Sequence, residues 1–239
     1  MRSSPLNFGI ASLILVSTTD LASAQVFTRI TWQASLDDGA SWTSDQLSIG
    51  DARSNVRIRA LFDWQHPDGY ALAGASFDAT VTSVDGGALG DTVSAIRRLE
   101  PLVITPQTLT TFRFGSVLKI DDERDTRPPA QGDRGVRVGQ AAEYLGLPFT
   151  RENPVAVFDF VLHFDATPGT RRVAHVFTMN SGGFLNVPFL WRDREGTGVL
   201  SIPNSIVRPL DLVVVPAPPA ASALLAVLPL AHRRRGTAR

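Results

Sequence analysis

Cysteine is absent from the 239-residue chain. That excludes a disulfide framework, a thiolate metal site and a cysteine nucleophile. Histidine is scarce, with four residues in all. His66, His163, His175 and His232 show neither His-x-x-x-His nor His-Glu-x-x-His spacing, so the sequence offers no zinc site. A Gly-x-Ser-x-Gly elbow, a Walker loop and a Gly-x-Gly-x-x-Gly turn are also missing. Serine-hydrolase and phosphate-loop readings therefore have no support, and no cofactor is implied. Neither sign of charge is in excess, since 23 basic residues face 23 acidic ones. No apolar run reaches the roughly 20 residues that a membrane-spanning helix needs.

What is present is a globular composition, 44% hydrophobic and 19% charged. A chain of this length buries a core without disulfide staples. The hydrophobic period is two. Val56, Ile58, Ala60, Phe62 and Trp64 share one parity, against Arg57, Arg59 and Asp63 on the other. Half-buried strands show this alternation. It recurs at Ile30, Trp32 and Ala34, at Ala73 to Val81, and at Phe158, Phe160, Leu162 and Phe164. Phe112, Phe114, Leu118 and Ile120 share one parity around Gly115, and residues 172–179, 198–202 and 206–215 are further strands. Asp37-Asp-Gly39, Pro67-Asp-Gly69, Asp85-Gly-Gly87, Pro168-Gly169 and Ser181-Gly-Gly183 supply turns between them. The expected body, residues 25–212, is all-β: an antiparallel β-sandwich or jelly roll. Val138, Ala141, Ala142 and Leu145 fit one face of a short helix. Residues 121–135 read as a long exposed loop of mixed charge.

Three features bear on chemistry. Asp159, His163 and Asp165 fall on the outer face of one strand. Paired carboxylates serve glycoside hydrolysis only across a shared cleft, and solvated outer-face residues are the simpler reading. Asp121, Asp122, Glu123, Asp125 and Asp133 supply oxygen ligands of the kind calcium prefers. Their spacing departs from a calcium loop, and Arg124, Arg127 and Arg134 offset them, so no metal site is assigned. Trp42 and Trp191 sit beside polar turns and are the candidates for glycan stacking; packing is the alternative role. Trp32 and Trp64 fall on the inward parity.

The two ends read as export segments. In residues 1–24, Arg2 precedes an apolar stretch from Leu6 to Val16, and Ala22-Ser-Ala24 has the small-x-small form that signal peptidase accepts. The Sec translocon and signal peptidase are the implied partners, and the N-terminal helix is cleavable. Residues 213–239 run through a Pro-Ala hinge, a short apolar segment from Ala220 to Ala231, and the cluster Arg233, Arg234 and Arg235. Proline breaks a helix, so the apolar piece is a marginal anchor with transient membrane association. The arginines hold their end on the cytoplasmic side. Removing Arg2, Arg233, Arg234, Arg235 and Arg239 together with Asp20 leaves 18 basic against 22 acidic residues. A mildly acidic body disfavours nucleic acid as partner.

The order of hinge, apolar helix and arginine cluster resembles the PEP-CTERM sorting tail. Val215, Pro216, Ala217 and Pro218 stand where that family has Val-Pro-Glu-Pro, and the Pro-Ala-Pro form resembles the planctomycete variant. The resemblance implies an exosortase-like processing enzyme as partner. It also implies a non-catalytic protein of the cell envelope or extracellular matrix, with a structural or adhesive role. A carbohydrate-binding module for exopolysaccharide is the first alternative, and a secreted glycoside hydrolase using Asp159 and Asp165 is the second.

Overall fold

Alternating residues commit most of the chain to extended segments, and their apolar parities decide how those segments stack. The computed structural model describes residues 26–50, 55–87, 89–103, 106–129, 135–165, 167–177 and 187–215. The signal segment with Ala22 and Ala24, the hinge residues Pro216, Ala217 and Pro218, the cluster Arg233–Arg235 and both expected terminal helices lie outside the described residues.

In chain order the strands are β1 (Phe27–Ser35), β2 (Leu47–Ile49), β3 (Asn55–Gln65), β4 (Ala71–Ser83), β5 (Thr92–Arg98), β6 (Leu109–Phe114) and β7 (Val117–Asp122). They continue with β8 (Val136–Gly139), β9 (Val155–His163), β10 (Gly169–Phe177), β11 (Phe189–Trp191), β12 (Val199–Ser201), β13 (Ser205–Arg208) and β14 (Leu210–Val214). They form two sheets. The first has the order β13-β1-β3-β9-β5. The second has the order β12-β11-β4-β10-β14-β2, with β7 and β8 along the other edge of β4 and β6 beyond β7. The architecture is a β-sandwich, as the period of two implies.

The core lies between the sheets and is built from the predicted parities. Ile30, Trp32 and Ala34 of β1, Val56 to Trp64 of β3 and Phe158, Phe160 and Leu162 of β9 meet Phe77, Ala79 and Val81 of β4. Trp32 is at the centre, with Phe77, Phe158 and Phe160 edge-on at ring-centroid distances of 6.4, 6.4 and 6.2 Å. Edge-to-face packing suits the aromatic quadrupole and adds to the energy of burial.

Several expectations are corrected. The sandwich is not wholly antiparallel: β1 pairs β13 and β14 pairs β2 in parallel. Residues 206–215 are two strands in different sheets. Pro209 sits at the crossing, where a missing N–H costs no ladder bond. The body extends two residues beyond the expected boundary, because Val213 and Val214 belong to β14. Residues 138–145 are no helix; Val138 lies within β8, and a single 3-10 turn covers Glu143–Leu145. The cause is at Gly74 and Gly139, which face each other in the β4–β8 ladder. A Cβ on Gly139 would stand 2.7 Å from the carbonyl oxygen of Ala73. The close backbone approach holds β8 against β4, and pairing overrides the apolar stripe. The parity across Gly115 also fails. The β6–β7 ladder sets Phe112 opposite Lys119, so Phe112 leaves the face of Leu118 and Ile120.

One ionic cluster ties the sheets at an end. Arg171 of β10 donates from Nε to Asp91 at 2.7 Å and from Nη2 to Asp165 at 3.1 Å. Its side chain is 3% exposed and that of Asp91 is 0% exposed. Asp91 precedes β5 and Asp165 follows β9, both in the other sheet. Removing one partner of a buried pair leaves the other uncompensated. Arg171→Met is therefore expected to lower unfolding free energy by about 3–5 kcal/mol in urea titration. Adding Asp91→Asn to that variant should restore part of the loss.

Candidate functional site

Four surfaces and clusters carry the polar chemistry of the described residues. The first is the outer face of the five-stranded sheet. The residues alternating with the core row there are Arg29, Arg57, Arg59, Asp63 and Asp159, and they interlock. Arg29 forks onto Asp63, and Arg57 bridges Asp38 and Asp159, each at 3.1 Å. Arg97 of β5 clasps Asp159 bidentately at 2.6 and 2.8 Å. Burial pushes the Asp159 carboxyl up, and the Arg97 hydrogen bond draws it back down.

Asp159 and Asp165 do not form a catalytic pair. Asp159 faces outward among arginines, whereas Asp165 joins Arg171 and accepts the Gly90 N–H at 2.8 Å. Six residues of extended chain separate them by roughly 20 Å, against the roughly 5–9.5 Å that paired carboxylates span in glycosidases. The hydrolase alternative built on this pair is thereby removed. His163 hydrogen-bonds Ser94 at 2.7 Å at the strand end.

Trp42 and Trp191 are both half-buried, the first in the loop after β1 and the second in β11. Trp42 follows β1, and the Arg59 guanidinium covers its ring at 4.1 Å. Trp191 of β11 donates its indole N–H to the Gln140 carbonyl at 3.1 Å. They make no common stacking platform.

The second surface surrounds the 3-10 turn. Tyr144, Leu145 and Leu147 are exposed. Glu143 anchors the turn by accepting from Arg151 at 2.7 Å and from the Tyr70 hydroxyl, while Arg151 lies 4.6 Å over the Tyr70 ring. An open groove of about 510 Å³ lies nearby, lined in part by Glu100, Phe149, Thr150 and Glu152. An apolar tip on a rigid charged base is a feature of interaction surfaces.

The third cluster is the core histidine. His175 packs against Phe177, Phe77 and Trp32 with ring centroids at 5.0, 6.2 and 6.4 Å. Trp32 can only donate, so its 3.3 Å bond makes His175 Nδ1 the acceptor. Nε2 then carries the proton, with no partner among the described residues. Burial pushes His175 down to about 4. Its folded value lies below its unfolded value of 6.5, so its contribution is full above that pH and is lost as pH falls. Unfolding free energy should drop by about 3 kcal/mol between roughly pH 6.5 and pH 4. His175→Gln keeps an acceptor for Trp32 and should flatten that slope in denaturant titrations at several pH values.

The fourth cluster corrects the exposed-loop expectation for 121–135 in part: Glu123, Arg124, Thr126, Arg127 and Pro128 are exposed, but three acids are not, and residues 130–134 lie outside the described residues. Asp121 and Asp122 end β7, and together with Asp125 they are buried. Lys119 Nζ contacts Asp121 Oδ2 at 2.6 Å. Arg124 and Arg137 hold Asp122 at 2.8 and 3.6 Å, and Arg127 holds Asp125 at 3.1 Å. The Arg124 hydrogen bond keeps the Asp122 carboxyl well below the usual carboxylate range. Each acid has a basic partner, which accounts for the burial. Asp133 lies outside the described residues. The sequence signal for this cluster is that Lys119 is the one lysine of the chain.

No protein-family model matches the chain, and no curated protein matches it. Among solved structures, the seventh ScaB type I cohesin from Pseudobacteroides cellulosolvens is similar at 8% identity, covering 81% of this chain and 94% of that one with a TM-score of 0.42. The non-cellulosomal cohesin from the archaeon Archaeoglobus fulgidus is similar at 7% identity, covering 84% and 98%, with a TM-score of 0.32. At these values the likeness assigns no family, partner or activity. Among the described residues, no helix is long and apolar enough to cross a membrane.

Proposed function

We propose that the chain is an exported, non-catalytic β-sandwich of the cell envelope or extracellular matrix, with a structural or adhesive role, sorted through its C-terminal tail. One observation carries this reading: two export-type segments flank the sandwich with almost no intervening chain. The first strand begins at Phe27, next to the cleavage residues Ala22 and Ala24. The last ends at Val214, and the Val215 N–H makes a final bond to the Ile49 carbonyl at 3.0 Å. The hinge Pro216-Ala-Pro218 follows at once. A processing enzyme of the exosortase kind would therefore act on a segment that leaves the fold intact. The Sec translocon and signal peptidase act at the other end.

The outer-face arginines and carboxylates support a structural role, since they are engaged with one another rather than held toward a cleft. The apolar tip at Tyr144, Leu145 and Leu147 supports the adhesive part, as the surface presented to a protein of the envelope or matrix. Trp42 and Trp191, each held by its own partner, offer a polysaccharide no joint platform.

The test is fractionation of cells expressing the chain with an epitope in the exposed turn at Gly115, which survives loss of either end. The tagged body is expected outside the inner membrane, with a mature start at Gln25 and without Arg233–Arg235 by mass spectrometry. Recovery from soluble cytoplasm with Met1 and Arg239 intact would overturn the reading.

A further inference from the structure

The chain has 23 basic side chains, of which a single one, Lys119, is lysine. Arginine serves wherever the fold needs a surface cation. The lone side-chain amine is instead 0% exposed, on the outer face of β7. It lies opposite Thr80 of β4 and Phe112 of β6. The Phe112 and Phe114 rings stand 5.4 and 5.9 Å from Nζ and help to exclude water. Lysine and arginine are not equivalent in such a place. A guanidinium stays charged and is a poor nucleophile, whereas an amine that gives up a proton attacks carbonyl carbon.

The acyl partner is already in position. Asp121 Oδ2 is 2.6 Å from Nζ, and Asp121 Oδ1 accepts the Asp122 backbone N–H at 2.6 Å. The Asp125 carbonyl accepts from Nζ at 3.2 Å and fixes the amine from its other side. Asp78 of β4 is fully buried, one step beyond the Ala79–Ile120 pair of the β4–β7 ladder, the position that faces Asp121. Burial pushes the Asp121 carboxyl up, toward the acid form. These are the parts of an acyl transfer: a nucleophile, an acyl carbon, a backbone donor on the oxygen that becomes anionic, and a carboxyl that handles protons.

We propose that Lys119 and Asp121 condense spontaneously in the folded chain to form a side-chain amide bond. Proton transfer across the Lys119–Asp121 hydrogen bond leaves a neutral amine and a neutral acid. Nζ attacks Cγ of Asp121, and the charge that develops on Oδ1 is met by the Asp122 N–H. The Cγ–Oδ2 bond breaks, and Oδ2 departs as water with one proton from the acid and one from Nζ, relayed through Asp78. No oxidant, metal or co-reactant enters the balance. Holding the groups in contact replaces a bimolecular encounter and supplies the rate. The product also replaces a buried ion pair, which carries a desolvation penalty, with a neutral amide. The bond joins positions two apart on one strand, so it locks the end of β7 rather than clamping two strands.

The test is tryptic mass spectrometry of the purified full chain after complete denaturation. The peptide Phe114–Arg124 is expected uncut at Lys119, lighter than its composition by one water, with an ε-amine that resists acylating reagent. Asp78→Asn should return most of the chain to the ordinary mass while the protein stays folded by circular dichroism. Lys119→Arg should return all of it. Cleavage at Lys119 with full labelling of the amine would overturn the proposal. A lost water with Lys119 still cleavable and labelled would signify a cyclic imide at Asp121 and would overturn it too. A link from Lys119 to the peptide carrying Asp78 would refute Asp121 as the acyl donor.

Discussion

The structure depends on β4 being covered on both faces. Its inward residues Phe77, Ala79 and Val81 meet the aromatic core, and its outward residues Ser76, Asp78 and Thr80 are buried as well. A strand in that position must bury polar groups, and each then needs a partner or costs several kcal/mol. The fold meets this by laying β7 along one edge of β4 and turning residues 121–127 back over the outer face. Lys119, Asp121, Asp122 and Asp125 are inside for this reason. The same strand pairs β10 and β11 along its other edge, so most of the second sheet is hung from it.

The two sheets handle charge differently. On the first, arginine and aspartate alternate with the core row and neutralise one another at half-exposed positions, where single ion pairs add little stability but keep the face soluble. On the second, Arg172 and Asp211 form one exposed pair, but the main charge clusters are buried, and their value depends on complete pairing. Arg171 with Asp91 and Asp165 closes one end of the sandwich in this manner. The lysine cluster closes the outer side of β4, and its chemistry has a consequence that surface pairs lack, because water is excluded from an amine and an acid in contact.

The edges are also resolved by geometry rather than by pattern. The parallel partners β13 and β2 cover β1 and β14, which would otherwise present open ladders. Crossing between sheets at Pro209 allows one nearly continuous segment, 205–214, to cap both layers. The end of β14 then brings the chain to the surface at Val215, where the proposed sorting hinge starts.

The sequence by itself determined the class of fold and the inner face of its main strands. The alternation at 30–34, 56–64, 73–81 and 158–164 follows from the geometry of an extended chain, in which neighbouring side chains point to opposite faces. The proposed export segments at the two ends rest on local pattern alone and lie outside the described residues. Tertiary structure alone decided what the outward parity meets. Nothing local distinguishes the arginine-filled face of β3 from the buried outer face of β4. Likewise, no local signal says that Asp121 and Asp122 are buried, that Gly74 and Gly139 draw residues 136–139 into a strand, or that Trp42 and Trp191 diverge. Those outcomes depend on pairing between residues far apart in sequence, and a pattern of period two carries no information about which strand lies alongside.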